Sequence, residues 1–203
     1  VGNQLPGPYP FDRAVFARAH RAGTLRTRIY AAVPLSTWAR LRDTVAARGH
    51  GHSWLRIGGL KGFVDGSLGS HTAAMMQPFT DAPGDSGLLV NTPEDLYSWT
   101  SNADKANLHV IVHAIGDRAI NLQLGIFERV ERENGARDRR FRIEHAQHIA
   151  PPDIARFGRL VVIPSMQPYH AIDDGRWAEK VIGPARAKTT YAFRSLIDTR
   201  ARL

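Results

Sequence analysis

The sequence contains no cysteine, which excludes disulfides and thiolate metal sites and leaves the redox compartment open. It has no apolar run near the roughly 18 residues that cross a bilayer, so no membrane-embedded role is expected. No Gly-x-Gly-x-x-Gly or Gly-x-x-x-x-Gly-Lys motif follows any strand-like run, so a nucleotide-binding sheet lacks its usual signature. Lysine is scarce, with four residues against 23 arginines in 203. The net charge of +8 is therefore an arginine bias. The arginines are scattered, and the densest group, Arg137 to Arg142, contains Asp138. Without a basic run interleaved with aromatics, the charge reads as compositional, and a basic nucleic-acid binder is the disfavoured alternative. The chain begins at Val1 without a methionine, so the lack of a secretory signal says little. The expectation is a cytoplasmic protein, open to homo-oligomer formation, with no membrane or nucleic-acid partner.

What the sequence does have is alternation. Apolar residues make up 43% and charged residues 23%, enough for one domain with a core. Short β-rich runs alternate with amphipathic helical stretches, which predicts βα units around a parallel sheet. The first run is Arg28 to Val33. A helix follows with Ser36 as N-cap, Trp38, Leu41 and Val45 on one face, and Gly49 as its stop. The second run is Leu60 to Asp65. Gly66 to Asn91 is too long for a simple connector and reads as a functional loop. Thr92, Pro93, Glu94 and Asp95 open the next helix, with a cap, a proline at the first position and two acids at the positive dipole end.

The strand His109 to His113 comes next, then a helix from about Arg118 to Glu133. A strand from Arg140 to His145, a short helix from Pro151, a strand from Leu160 to Pro164 and a helix from about Pro184 to Ile197 complete the reading. Five strands fit either a small open sheet or most of an eight-stranded barrel.

The candidate chemistry shares one position. Lys61 lies in the second run, His113 and His145 end the third and fourth, and Gln167 and His170 follow the fifth. The C-terminal strand ends of a β/α barrel carry its active site. Period-two alternation puts His109, Ile111 and His113 on one face, and Phe141, Ile143 and His145 on one face. If both faces point inward, two imidazoles meet and can hold a metal with oxygen ligands and an open position. Two roles are open to Lys61, an unusual lysine in an apolar strand: pairing with Asp65, or carboxylation into an anionic ligand. Against these stand plainer readings. A lone strand-end histidine is more often a hydrogen-bonded core residue, Asp117 can simply cap a helix, and Arg142 and Glu144 can pair on the helical side.

Four blocks carry a family resemblance. They are Lys61-Gly62-Phe63-Val64-Asp65-Gly66-Ser67-Leu68-Gly69-Ser70 with Thr72-Ala73, then Val112-His113-Ala114-Ile115-Gly116-Asp117-Arg118-Ala119-Ile120, then Arg142-Ile143-Glu144-His145-Ala146-Gln147, and Ser165-Met166-Gln167-Pro168-Tyr169-His170-Ala171. In this order they resemble the amidohydrolase superfamily, in the branch of N-substituted formamide deformylases and related metal-dependent hydrolases. The resemblance runs from about residue 24 to the C-terminus.

It implies a partial TIM-like (β/α)8 barrel, roughly strands three to seven, spanning residues 1–203 as the central part of one hydrolase barrel. It also implies hydrolysis of an amide-like, non-peptide carbon–nitrogen bond by metal-activated water, with one or two divalent ions, zinc first. Lys61, His113 and His145 would be metal ligands and catalytic residues, and Gln167 and His170 would line the substrate pocket. The sequence departs from the family in several places. The first-strand His-x-His, the eighth-strand aspartate and the small β-sandwich domain have no counterpart. His50-Gly51-His52 has the spacing but lies in a Gly-rich loop, and His71 stands where arginine is expected. A catalytically incomplete barrel piece with a structural or complementing role is the alternative expectation.

Overall fold

A computed structural model describes residues 11–203; residues 1–10 of the expected 1–203 unit lie outside the described residues. Five parallel strands form one sheet in chain order: β1 (Ile29–Pro34), β2 (Leu55–Phe63), β3 (His109–Ala114), β4 (Arg142–His145) and β5 (Ile163–Ser165). The helices are α1 (Phe11–Arg21), α2 (Trp38–Arg48), α3 (Pro93–Lys105), α4 (Asp117–Asn134), α5 (Pro151–Arg159), α6 (Pro168–Asp174), α7 (Ala178–Ala187) and α8 (Phe193–Asp198).

One continuous core joins a single face of this sheet to the helices. Leu60, Val110, Val112 and Ile143 of the strands pack with Leu41 of α2, Leu96 of α3, Phe127 of α4, Phe157 of α5 and Leu196 of α8. Sequential strand order with helices on one face is the arrangement of a barrel segment, whereas a doubly wound sheet carries helices on both faces. The α/β class and partial TIM-like architecture expected from the sequence are those observed.

Several boundaries move. β2 starts at Leu55, five residues before the expected run. Its pairing with β1 skips Gly58, since Ala31 faces Ile57 and Ala32 faces Gly59. That one-residue bulge inverts the face of everything after it. Ile57 and Leu60 can therefore both join the outer core, while Lys61 turns inward. β5 begins at Ile163 because Leu160 and Val161 close the turn after α5. The single helix expected from Pro184 to Ile197 is instead two, α7 and α8. α7 also begins earlier, at Ala178, and carries a break at Gly183, whose φ of 77° leaves the helical region.

The long connector from β2 to α3 is ordered by its own small core. Leu68, Ala73, Met75 and Phe79 pack on Ile115 and on Ala178, Val181 and Ile182 of α7. Arg186 ties it down by donating to the carbonyls of Gln77 and Pro78. Its last residues rejoin the sheet: Val90 N–H donates to Val64 O, and Asn91 donates to Phe63 O. Thr92 then caps α3 by accepting from Asp95 N–H, as its sequence predicts.

Candidate metal centre

The strand register sets the inner face in rows. Phe63, His113, Glu144 and Ser165 are successive partners across β2 to β5, and Lys61, Ile111 and Arg142 form the row beneath. His113 reaches this face by simple alternation, its ring 5.4 Å from that of Phe63.

His145 does not. It pairs with Ala114, on the phase of Ile143, and both of those residues belong to the outer core. Phe141 likewise stacks on Phe127 of α4, so the expectation that Phe141 and Ile143 share the face of His145 is corrected. A backbone reversal brings the ring round. His145 has φ of 73° and Ala146 has φ of 44°, the left-handed region that non-glycine residues enter only when their surroundings hold them there. The result is an edge-to-face pair of imidazoles, His113 and His145, with centroids 4.7 Å apart.

Each ring has one nitrogen engaged and one free. His113 Nε2 meets the carbonyl of Gly66 at 2.7 Å, and His145 Nδ1 meets Gln167 Oε1 at 2.8 Å. The carbonyl, and the amide oxygen as oriented, can only accept, so both ring nitrogens donate. His113 Nδ1 and His145 Nε2 have no hydrogen-bond partner among the described residues. Burial pulls the His113 pKa down to about 4, helped by His145 and Lys61, and burial also lowers that of His145. Both rings are therefore neutral near pH 7, with the free nitrogen presenting a lone pair. That is the state in which histidine ligates a metal, and an engaged far nitrogen is the usual companion of such a ligand.

Lys61 lies beside this pair. It is buried, its Nζ has no hydrogen-bond partner among the described residues, and it sits 5.1 Å from the centre of the Phe63 ring. Burial lowers its pKa to about 8, against the pull of Glu144. The expected pairing with Asp65 does not occur, because the Asp65 carboxylate is taken up by backbone N–H groups. Arg142 and Glu144 do pair, with Nε to Oε1 at 2.5 Å, but on the inner face, not on the helical side. Neither of those two atoms has hydrogen-bond geometry, so the contact is an ion pair only. Ser165 Oγ holds the other Glu144 oxygen at 3.0 Å.

Of the two residues expected to line a substrate pocket, Gln167 faces His145 and donates its own amide to Ser165 O at 3.0 Å. His170, on α6, is exposed and nearly parallel to His145, with centroids 6.1 Å apart. The anchoring of α6 was not foreseen. Asp174 at its end accepts from Gln147 Nε2 and from Tyr191 OH, which ties the helix to the segments after β4 and before α8. His50 and His52 precede β2, at the opposite end of the strand from His113. Asp117 is the first residue of α4 and accepts from Met76 N–H and Arg118 N–H. His71, in the place of the expected arginine, pairs with Asp81 at 2.9 Å. A largely apolar cavity of about 470 Å³ opens at the ends of β1 and β2. It is bounded by Lys61, Phe63 and Trp99 but by neither candidate histidine, so it adjoins the imidazole pair without containing it.

The donor set fits part of a divalent-metal site: two neutral imidazoles with free nitrogens and an unpartnered buried amine. Among the described residues no group of three or more His, Cys, Asp or Glu side chains is placed to hold a metal ion. No described helix is long and apolar enough to cross a membrane.

Comparison with known proteins bears on the family and the fold. The Amidohydrolase family profile matches residues 7–203. Protein LONG AFTER FAR-RED 3 of Arabidopsis thaliana is 44% identical over 194 residues, covering 95% of this chain and 33% of that protein. The Bacillus subtilis (strain 168) protein YtcJ is 33% identical over 145 residues, 71% of this chain and 27% of that protein. The crystal structure of an uncharacterized metal-dependent hydrolase from Pyrococcus furiosus superposes with a TM-score of 0.81 and 34% identity, over 98% of this chain and 40% of that one. The chain thus spans two fifths or less of each of these relatives. With nearly its whole length matched and its strand ends built as described, it belongs to the amidohydrolase family.

Proposed function

We propose that the protein is a metal-dependent hydrolase that cleaves amide-like carbon–nitrogen bonds of small molecules with water. The observation that carries this reading is the His113–His145 pair, two neutral rings on adjacent strand ends, each with its far nitrogen engaged and its near nitrogen free. A divalent cation, zinc in this reading, supplies a Lewis acid that polarises the scissile carbonyl and makes a water molecule acidic. The chain's own residues do the rest. His113 and His145 offer Nδ1 and Nε2. Lys61 would join them as a carbamate, formed when its deprotonated amine adds carbon dioxide and releases a proton, so that an anion replaces a buried cation. Gln167 fixes the plane of the His145 ring, and exposed His170 meets the substrate.

Membership of the family and the 34% identity to the Pyrococcus furiosus hydrolase support this reading. The chain's span of two fifths or less of the relatives compared supports a second element of it. The 203 residues hold part of the site, and further ligands come from barrel strands outside them, the first and the eighth, in a protein that also carries a small β-sandwich domain.

The test is hydrolysis of a panel of N-formyl and N-acyl amines by the full-length protein. Turnover is expected to fall to the metal-free level in His113→Ala and in His145→Ala, and the 203-residue piece alone is expected to be inactive. Hydrolysis that survives both substitutions overturns the reading.

A further inference from the structure

Asp65 is the only fully buried carboxylate in contact with the imidazole pair among the described residues, and the proposed chemistry gives it no task. It lies just past the end of β2, with a side chain that is 0% exposed. Its Oδ2 accepts from Ala74 N–H at 2.9 Å and from Gly116 N–H at 2.8 Å, and its Oδ1 accepts from Ile115 N–H at 3.0 Å. These donors come from two connectors, the long β2–α3 loop and the turn from β3 into α4. The remaining neighbour of Oδ1 is His113 Nε2, at 3.5 Å. The same nitrogen meets Gly66 O at 2.7 Å.

The close approach of the two connectors is built in. A Cβ on Gly116 would lie 2.1 Å from the carbonyl oxygen of Ala74, so only glycine lets both N–H groups reach one carboxylate oxygen. A carboxylate with three backbone donors is locked in place. Its position then leaves His113 Nε2 facing two acceptors, the Asp65 oxygen and the Gly66 carbonyl. A nitrogen facing only acceptors carries the proton, which leaves Nδ1 as the lone-pair atom.

We infer that Asp65 is a positioning residue of the metal site: anchored by Ala74, Ile115 and Gly116, it and the Gly66 carbonyl hold His113 in the Nε2–H tautomer with Nδ1 aimed at the metal. This rests on the proposed function, because it assigns His113 as a ligand. It goes further in naming the group that positions the His113 ring.

Two measurements on the full-length protein test it. In metal-free wild type labelled with ¹⁵N-histidine at pH 7, with His113→Ala used to assign the signal, His113 should show a protonated Nε2 and an unprotonated Nδ1. The opposite tautomer overturns the inference. Zinc affinity, read by competition with a chromophoric chelator, should be weaker in Asp65→Asn by about 10- to 100-fold, the usual loss when a partner of a metal-bound histidine is removed. A variant that is less stable yet binds zinc as tightly as wild type assigns Asp65 to loop anchoring alone and overturns the inference, leaving the proposed function standing. A wild-type protein that binds no zinc overturns both.

Discussion

The two faces of the sheet follow opposite rules. On the outer face Leu60, Val110, Val112 and Ile143 are completely buried, apolar and continuous with five helices. On the inner face Lys61, Arg142 and Glu144 carry charge that the described residues satisfy only in part, with Lys61 Nζ, Arg142 Nε and Glu144 Oε1 all lacking hydrogen bonds. Native proteins seldom leave buried polar atoms unpaired, since each costs free energy. The outer face therefore holds the fold together, and the inner face carries charged groups at some expense of stability.

Substitutions on either side sharpen that contrast. The largest effect belongs outside. Ile143→Ala removes a fully buried side chain and should destabilise by roughly 2–5 kcal/mol. Chemical denaturation reads it, and a loss below about 1 kcal/mol would break the comparison.

Inside, the sign reverses. Lys61→Met in the metal-free protein should stabilise at neutral pH while abolishing metal-dependent turnover. The Lys61 pKa falls from 10.5 to about 8 on folding, so the unfolded chain binds this proton more tightly. The burden is full below pH 8 and vanishes as pH rises past 10.5, and wild-type stability therefore increases through that window. The shift sets an upper limit of about 3 kcal/mol on the gain. Stability measured at pH 7 and pH 10 should show the advantage of the variant shrinking. A variant less stable than wild type at pH 7 would contradict this reading of the inner face.

Much of the outer face is legible in the sequence, because period-two and helical patterns report burial directly. The strand that starts at His109, the capped start of α3 and the span of α4 lie where those patterns put them, and β4 starts two residues after the expected Arg140. The inner face is harder, because it depends on backbone irregularities that leave weak traces. Gly58 shifts the phase of β2, and the positive φ of His145 turns a side chain that strict alternation would send to the helices. Gly58-Gly59 was a visible hint of a bulge, while nothing in Glu144-His145-Ala146 announces a reversal. Asp65 is a local neighbour of Lys61 in the sequence, yet its partners are backbone N–H groups up to 51 residues away, which no local pattern encodes. The Gly183-Pro184 pair is compatible both with the start of a helix and with the break observed in α7, and sequence alone does not separate the two.

If His113 and His145 hold a metal ion between them, as proposed, equilibrium zinc binding depends on both rings. The full-length wild-type protein, stripped and titrated with zinc, should bind stoichiometrically, and the His113→Ala/His145→Ala double variant, still folded by circular dichroism, should lose that binding. Zinc bound equally by the folded double variant, or by neither protein, would rule out ligation by His113 and His145.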